Sequence, residues 1–249
     1  MSDKKVDLTV DWDSNLELSS NQLKYWSKSI GTIEEKLSAF PKYTNRTALS
    51  RFLVKNEIFN RIRNVQGSII ECGVHFGGGL MTWANLSALH EPLNHRRRVI
   101  GFDTFEGFPS ISEHDVAGGS HQAIRGGYNG GSLEDLEQAI EYFDQNRAMG
   151  NIPKVSIVKG DFTKTCSEFL IENPHMVVSL LYLDFDIYEP TKHALEMLLP
   201  RMPKGAIIAF DELHVEEWPG ETQALHEAVG INNARIERMP FSSICWWQL

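Results

Sequence analysis

Ser68-Ile69-Ile70-Glu71-Cys72-Gly73-Val74-His75-Phe76-Gly77-Gly78-Gly79 decides how this chain folds. A short apolar run meets a cluster of glycines, and an apolar helical pattern from Leu80 to Leu89 follows. Strand, glycine turn and helix in that order are the unit of an open α/β sheet, whose ligands bind at the carboxyl ends of the strands. Glycines there let the backbone approach a ligand closely, and the helix N-terminus offers unpaired N–H groups.

The spacing is Glu-x-Gly-x-x-x-Gly-Gly-Gly, which differs from the GxGxxG of dinucleotide sites. A tight structural turn would also account for the glycines. Glu71 adds chemistry: a carboxylate two residues before the first glycine repels a pyrophosphate and suits the cationic amino-acid end of S-adenosylmethionine.

Working outward, Val99–Asp103, Val155–Val158 and Ala206–Phe210 read as further strands. Val177–Leu183 is apolar on both faces, as a central parallel strand should be. Between them, helices are predicted after Ser132, over Thr191–Leu199 and over Glu221–Val229. Ala234–Met239 and Ser243–Trp247, joined by a turn at Pro240, read as a closing antiparallel pair. Upstream, apolar residues recur at three and four from Leu23 to Phe40, where Pro41 ends the pattern. A second amphipathic helix, Leu49 to Ile62, lies between Asn45 or Thr47 as caps and Gly67 as a stop. Residues 1 to about 20 read as an arm or tail. The expected architecture is α/β and Rossmann-like: a seven-stranded, mostly parallel sheet with an antiparallel C-terminal strand, helices on both faces and an N-terminal helical extension. Residues 1–66 would be the arm and helices, covering a cofactor or making an oligomer contact, and residues 67–249 the main domain.

With 249 residues, the chain is sized for one such domain plus an extension. Its net charge of −9 argues against a broad nucleic-acid surface. The one compact basic cluster, Arg96-Arg97-Arg98, reads as a solvated loop. Cys72, Cys166 and Cys245 form no CxxC pair, which favours a reducing compartment. Met1–Asp13 lacks the apolar core of a signal peptide, and no apolar run approaches a membrane span. The expected location is therefore the cytoplasm, without membrane or nucleic-acid partners.

Acidic residues mark the strand ends. Asp103 is placed to accept a ribose diol, or alternatively to cap a turn. In Gly160-Asp161-Phe162, Asp161 could take an adenine amino group with Phe162 against the ring, or simply form a turn. Asp184 closes the fourth strand and Asp211-Glu212 the fifth, so neighbouring strands bring their carboxylates together. Such a group is costly unless a cation compensates it, and hard oxygen ligands suit Mg²⁺ or a similar divalent ion. Asp184-Phe185-Asp186 also fits the DxD of nucleotide-sugar glycosyltransferases, although that leaves the Glu71 loop unused. Asp186 could instead hold Tyr188 or its loop. The long loop Gly118–Gly131 reads as a lid or as a passive mobile segment.

The ordered set Glu71-Cys72-Gly73-Val74 with Gly77-Gly78, Gly101-Phe102-Asp103-Thr104-Phe105-Glu106-Gly107-Phe108-Pro109, Leu183-Asp184-Phe185-Asp186-Ile187-Tyr188-Glu189-Pro190-Thr191, and Pro203-Lys204-Gly205 leading into Phe210-Asp211-Glu212 resembles the macrocin O-methyltransferase (TylF-type) family. The resemblance spans roughly residues 44–230 and implies a class I methyltransferase fold, S-adenosylmethionine as cofactor, and a sugar hydroxyl of a natural product as acceptor. It places Glu71, Gly73, Val74, His75, Gly77, Gly78, Asp103, Thr104, Phe105, Gly160, Asp161, Phe162 and Asp184 at the cofactor. It also implies Mg²⁺ on Asp184, Asp211 and Glu212, with Glu212 standing where the family usually has Asp, and a homo-oligomer. Tyr43-Thr44-Asn45-Arg46 falls where the family packs a Thr/Ser- and Arg-containing segment over the cofactor. Proton removal from the acceptor falls to Asp184 or to His214, whose alternative is a capping or surface role. His75 and His193 read as packing or solvent residues. A non-catalytic scaffold offering Trp218 and Trp246-Trp247 as surfaces is the remaining alternative.

Overall fold

The computed structural model describes residues 12–249, with side chains from Ser20 onward; residues 1–11, where the N-terminal arm and the signal-peptide reading chiefly fall, lie outside the described residues. One compact unit ends at Leu49 and a second runs from Ser50 to Leu249.

In the first unit, helix α1 spans Trp12–Lys28 and α2 Ile33–Ser38. The single helix expected from Leu23 to Phe40 is therefore two, and the helix starts inside the region read as an arm. The break is local chemistry. Gly31 adopts φ +109°, and Thr32 opens α2 with a capping box: its Oγ1 accepts the Glu35 N–H at 3.2 Å while Glu35 Oε2 accepts the Thr32 N–H at 2.7 Å. Asn45 then caps α3 (Arg46–Ile62), its Oδ1 accepting the Ala48 N–H at 2.7 Å.

The second unit carries β1 (Ser68–Cys72), α4 (Gly78–His90), β2 (Val99–Asp103), α5 (Glu113–Val116), α6 (Leu133–Gln145), β3 (Val155–Lys159), α7 (Phe162–Glu172), β4 (Val178–Leu183), α8 (Tyr188–Leu198), β5 (Ile207–Phe210), α9 (Gly220–Ala228), β6 (Ile236–Arg238) and β7 (Cys245–Gln248). The sheet has seven strands in the order β3-β2-β1-β4-β5-β7-β6, parallel except where β7 pairs with β5 and β6. Alternation along each strand divides the core. Ile69, Val99, Leu180 and Ile207 pack with Val54, Ile58, Phe59, Leu80, Trp83 and Leu136 from α3, α4 and α6. Ile70, Ile100, Leu181 and Ile208 face Cys166, Leu170, Ala194, Leu195, Ala224 and Leu225 from α7, α8 and α9. Each large aliphatic side chain buried this way contributes about 2 kcal/mol.

Helix α8 begins three residues before the Thr191 start read from periodicity. Pro190 sits in its first turn, where the missing N–H has no intrahelical partner to lose. The first N–H of that helix, on Tyr188, donates to Asp115 Oδ1 at 2.7 Å from the short, unforeseen α5. Tyr188 is thus fixed by Asp115, and at its hydroxyl by Glu227, not by Asp186. The arginine triplet is not a uniform solvated loop. Arg97 is buried, pairs with Glu91 at 2.6 Å, and donates to the carbonyls of Ile62, Arg63, Val65 and Gly67, so it locks the turn between α3 and β1. The three cysteines are free and buried. No helix among the described residues is long and apolar enough to cross a membrane.

Candidate active site

The strand order places β1 and β4 side by side while the chain winds outward from them in both directions, which opens a crevice at their carboxyl ends. A cavity of about 490 Å³ occupies it. One wall comes from the loops after β1, β2 and β3, the other from the segments after β4 and β5.

The first wall is built around close backbone approaches. Gly73 has φ +85°, and a Cβ there would stand 2.0 Å from the Asp184 carbonyl oxygen, so only glycine lets the β1 loop pass β4. Glu71 is fully buried and accepts the indole N–H of Trp83 at 2.6 Å. Burial pushes its carboxyl up to about 7, against the opposing pull of Lys55 and the Trp83 N–H. Gly79 makes room for that carboxylate: a Cβ would lie 2.4 Å from Glu71 Oε1. Gly78 faces open space and lines the cavity, whereas Gly77 turns the chain at φ +82° without lining it.

Asp103 organises the same loop. Its Oδ2 accepts the N–H groups of Val74 and His75, each at 2.7 Å, and its Oδ1 accepts that of Phe105 at 2.7 Å. A carboxylate offers about four lone-pair positions, so one on Oδ1 is left for a ligand. Val74, His75 and Thr104 line the cavity, while Phe105 packs against the core. Gly160, Asp161 and Phe162 also line it. Asp161, however, caps α7 through the Thr163 N–H at 3.1 Å and pairs with Lys164 at 3.1 Å. Burial raises this carboxyl, but Thr163 and Lys164 outweigh it and hold it below its ordinary value. The Phe162 ring is buried edge-on against Phe102 and Phe185, both at 5.0 Å.

The second wall is acidic. Leu183 pairs with Phe210 in register, so the next residues, Asp184 and Asp211, emerge side by side. Asp186 and Glu212 join them in the cavity, and Glu221 lies buried behind, with Oε2 accepting the Glu212 N–H at 3.1 Å and Oε1 unpartnered. Burial and mutual repulsion raise Asp184, Asp186 and Glu221 well above the usual carboxylate range, and lift Glu212 to about 7.

Two cations from α3 answer this charge, and sequence reasoning missed both. Arg51 forms an ion pair with the fully buried Asp211 and lies 3.8 Å from Asp184. Burial alone would lower the guanidinium, but Asp211, Tyr182 and Asp184 reverse that and raise it. One turn on, the buried Lys55 donates to the Tyr182 hydroxyl at 2.8 Å, and that hydroxyl donates to Asp211. The i, i+4 spacing was visible in the sequence, but nothing local says which surface that face meets.

An unforeseen aromatic wall completes the cavity. Tyr128, from the Gly118–Gly131 loop, and Phe108 line it, and both contact the buried Trp218, at 5.6 and 5.8 Å. Backbone bonds between Phe108 and residues Gly126 and Gly127 tie this loop to the segment after β2. Trp218 and Trp246 are buried, and Trp247 is half-buried. His214 is exposed, donates its N–H to Thr222 at 2.9 Å, and is not among the cavity-lining residues. His75 lines the cavity, and His193 packs edge-on near Phe162 at 6.0 Å.

The fold and sequence are similar to those of known methyltransferases. Over its whole length the chain is 31% identical to CalS11, a calicheamicin methyltransferase, covering 98% of that chain with a TM-score of 0.91. The O-methyltransferase NovP superposes over 80% of this chain and 78% of its own, at 23% identity and a TM-score of 0.63, a likeness of fold. Two curated relatives from Streptomyces align more locally. The 8-demethyl-8-(2,3-dimethoxy-alpha-L-rhamnosyl)-tetracenomycin-C 4'-O-methyltransferase of Streptomyces olivaceus is 28% identical over 61% of this chain. Demethyldecarbamoylnovobiocin O-methyltransferase of Streptomyces niveus is 26% identical over 60%. The chain spans about half the length of these relatives, 55% and 53%. The family model for macrocin-O-methyltransferase (TylF) matches residues 51–247, from the arginine that meets Asp211 to the last strand, and the chain belongs to that family.

Proposed function

We propose that this protein transfers the methyl group of S-adenosylmethionine to a hydroxyl of a sugar or glycosylated metabolite, assisted by a hard divalent cation. The observation that carries the reading is the shared cavity: a glycine loop with buried Glu71 on one wall faces clustered carboxylates on the other. The relatives' names, which specify O-methylation of a rhamnosyl tetracenomycin and of demethyldecarbamoylnovobiocin, favour an acceptor of that class.

Glu71 would hold the ammonium of the cofactor, and the open lone pair of Asp103 the ribose. Asp161 and Phe162, already engaged in a cap and in the core, would shape the adenine end more than bind it. Tyr128 and Phe108 would cover the acceptor and keep water out. The donor chemistry of the acidic wall suits a hard divalent ion: five oxygen-bearing groups, an unpartnered Glu221 oxygen and few cations. Asp184, Asp211 and Glu212 would hold it. Among the described residues no three such side chains stand ready as a ligand cluster, and Arg51 occupies Asp211, so the guanidinium would have to release it. When bound, such an ion lowers the pKa of an acceptor hydroxyl and orients it.

When bound, S-adenosylmethionine would supply the activated methyl group, and Asp184 would take the proton that the acceptor hydroxyl gives up. Asp184 lines the cavity, whereas His214 is not among its lining residues. Asp184→Asn is expected to abolish turnover while S-adenosylhomocysteine affinity is retained. Full activity of that variant, or of the wild type in EDTA, would overturn the assignment.

A further inference from the structure

Beyond Arg97, which the fold consumes, Arg96 and Arg98 line another cavity, of about 360 Å³, at the opposite ends of β1, β2 and β3 from the methyl-transfer cavity. His95 and His175 stand with them, and no Asp or Glu is among the lining residues, in a chain of net charge −9. Arg97, Arg147, Arg61 and Arg51 each have a carboxylate partner. Among the described residues Arg96 and Arg98 have none, and the Arg98 Nε is fully buried without an acceptor. The Arg98 backbone is pinned at the start of β2 by Ser68 Oγ at 3.3 Å and by the Ile69 N–H at 2.8 Å, which fixes where the side chain starts. A buried guanidinium N–H without an acceptor is costly and is ordinarily satisfied.

The shape and chemistry of the cavity select the missing acceptor. Two guanidinium forks match the tetrahedral oxygens of a phosphate, with which they form paired, charge-assisted hydrogen bonds. The volume exceeds what one phosphate needs and falls in the range of small-molecule sites. Phe169 and Met176 supply an apolar wall for an attached ring. We propose that this cavity binds a phosphorylated small molecule, with its phosphate on Arg98 and Arg96 and its organic part against Phe169 and Met176. This site is independent of the methyl-transfer reading.

Calorimetry on the full chain, with uridine diphosphate and inorganic phosphate as probes and S-adenosylhomocysteine held at saturation, tests it. Uridine diphosphate is expected to bind, more tightly than phosphate, and to lose at least tenfold in affinity in Arg98→Ala and severalfold in Arg96→Ala. S-adenosylhomocysteine affinity should be unchanged in both. Should Arg98→Ala fail to fold, Arg98→Lys, which keeps the charge but loses the fork, should still cost severalfold. Absence of binding, affinity untouched by these variants, or displacement of the nucleotide by S-adenosylhomocysteine would each overturn the proposal. Phosphate binding as tightly as the nucleotide would overturn its organic half.

Discussion

Asp103 accepts the backbone N–H of Val74 at 2.7 Å, so the end of β2 holds the loop that follows β1. One carboxylate thereby shapes the loop after β1 and keeps a single lone-pair position open toward the cavity.

Because three N–H groups depend on that carboxylate, Asp103→Ala should loosen the loop as well as remove a contact. The expected result is a stability loss of about 2 kcal/mol in thermal unfolding. Cofactor affinity should fall by roughly tenfold or more, the worth of a hydrogen bond to a charged group. Unchanged cofactor affinity would show that Asp103 serves the loop alone.

If Glu71 holds the cofactor as proposed, binding should depend on pH. Burial lifts its carboxyl to about 7, whereas a bound ammonium would favour the carboxylate and lower it. Below about pH 7 the proton must leave on binding, so affinity should weaken by roughly tenfold per unit toward pH 5.5. In folding, the sign is opposite. The native state holds this proton at pH values where the unfolded chain has lost it, so the contribution of Glu71 to the stability of the empty protein declines as pH rises from about 4.5 through 7. Glu71→Gln should flatten the affinity profile, measured by calorimetry across that range.

On the proposed function, Arg51 and a divalent cation would compete for Asp211. With Arg51→Ala, the buried carboxylate loses its partner, and the metal-free protein should lose up to about 3 kcal/mol, less if the two-fifths exposed guanidinium was already partly solvated. Mn²⁺ binding, followed by electron paramagnetic resonance, should tighten. Weaker Mn²⁺ binding in the variant would mean that Arg51 supports the ion.

Protons compete for the same oxygens. Since Asp184, Asp186 and Glu212 are raised, they hold protons at lower pH that the proposed metal would have to displace. Mg²⁺ should therefore raise Tm more at pH 8 than at pH 6, and Asp211→Asn should remove most of that difference in calorimetric scans.

Backbone packing gives a check without ligands. Gly73→Ala would drive a Cβ to 2.0 Å from the Asp184 carbonyl oxygen at a positive φ, which displaces β4 where it carries the acidic wall. Loss of about 2 kcal/mol or more is expected in denaturant unfolding.

What the sequence alone determined lies in local pattern: the strands, the glycine loop, and the acidic residues at strand ends, since alternation, glycine and chain position encode them within a few residues. Even the adjacency of Asp184 and Asp211 follows from one strand–helix–strand step. The tertiary structure alone decided which charges answer them. Arg51 reaches Asp211 across 160 residues, Lys55 reaches Tyr182 across 127, and Asp115 holds Tyr188 across 73. Such pairings depend on how a helix face docks on the sheet, which propensity does not specify. The same docking sorted Arg96-Arg97-Arg98, alike in sequence, into one buried clamp and two side chains facing a cavity.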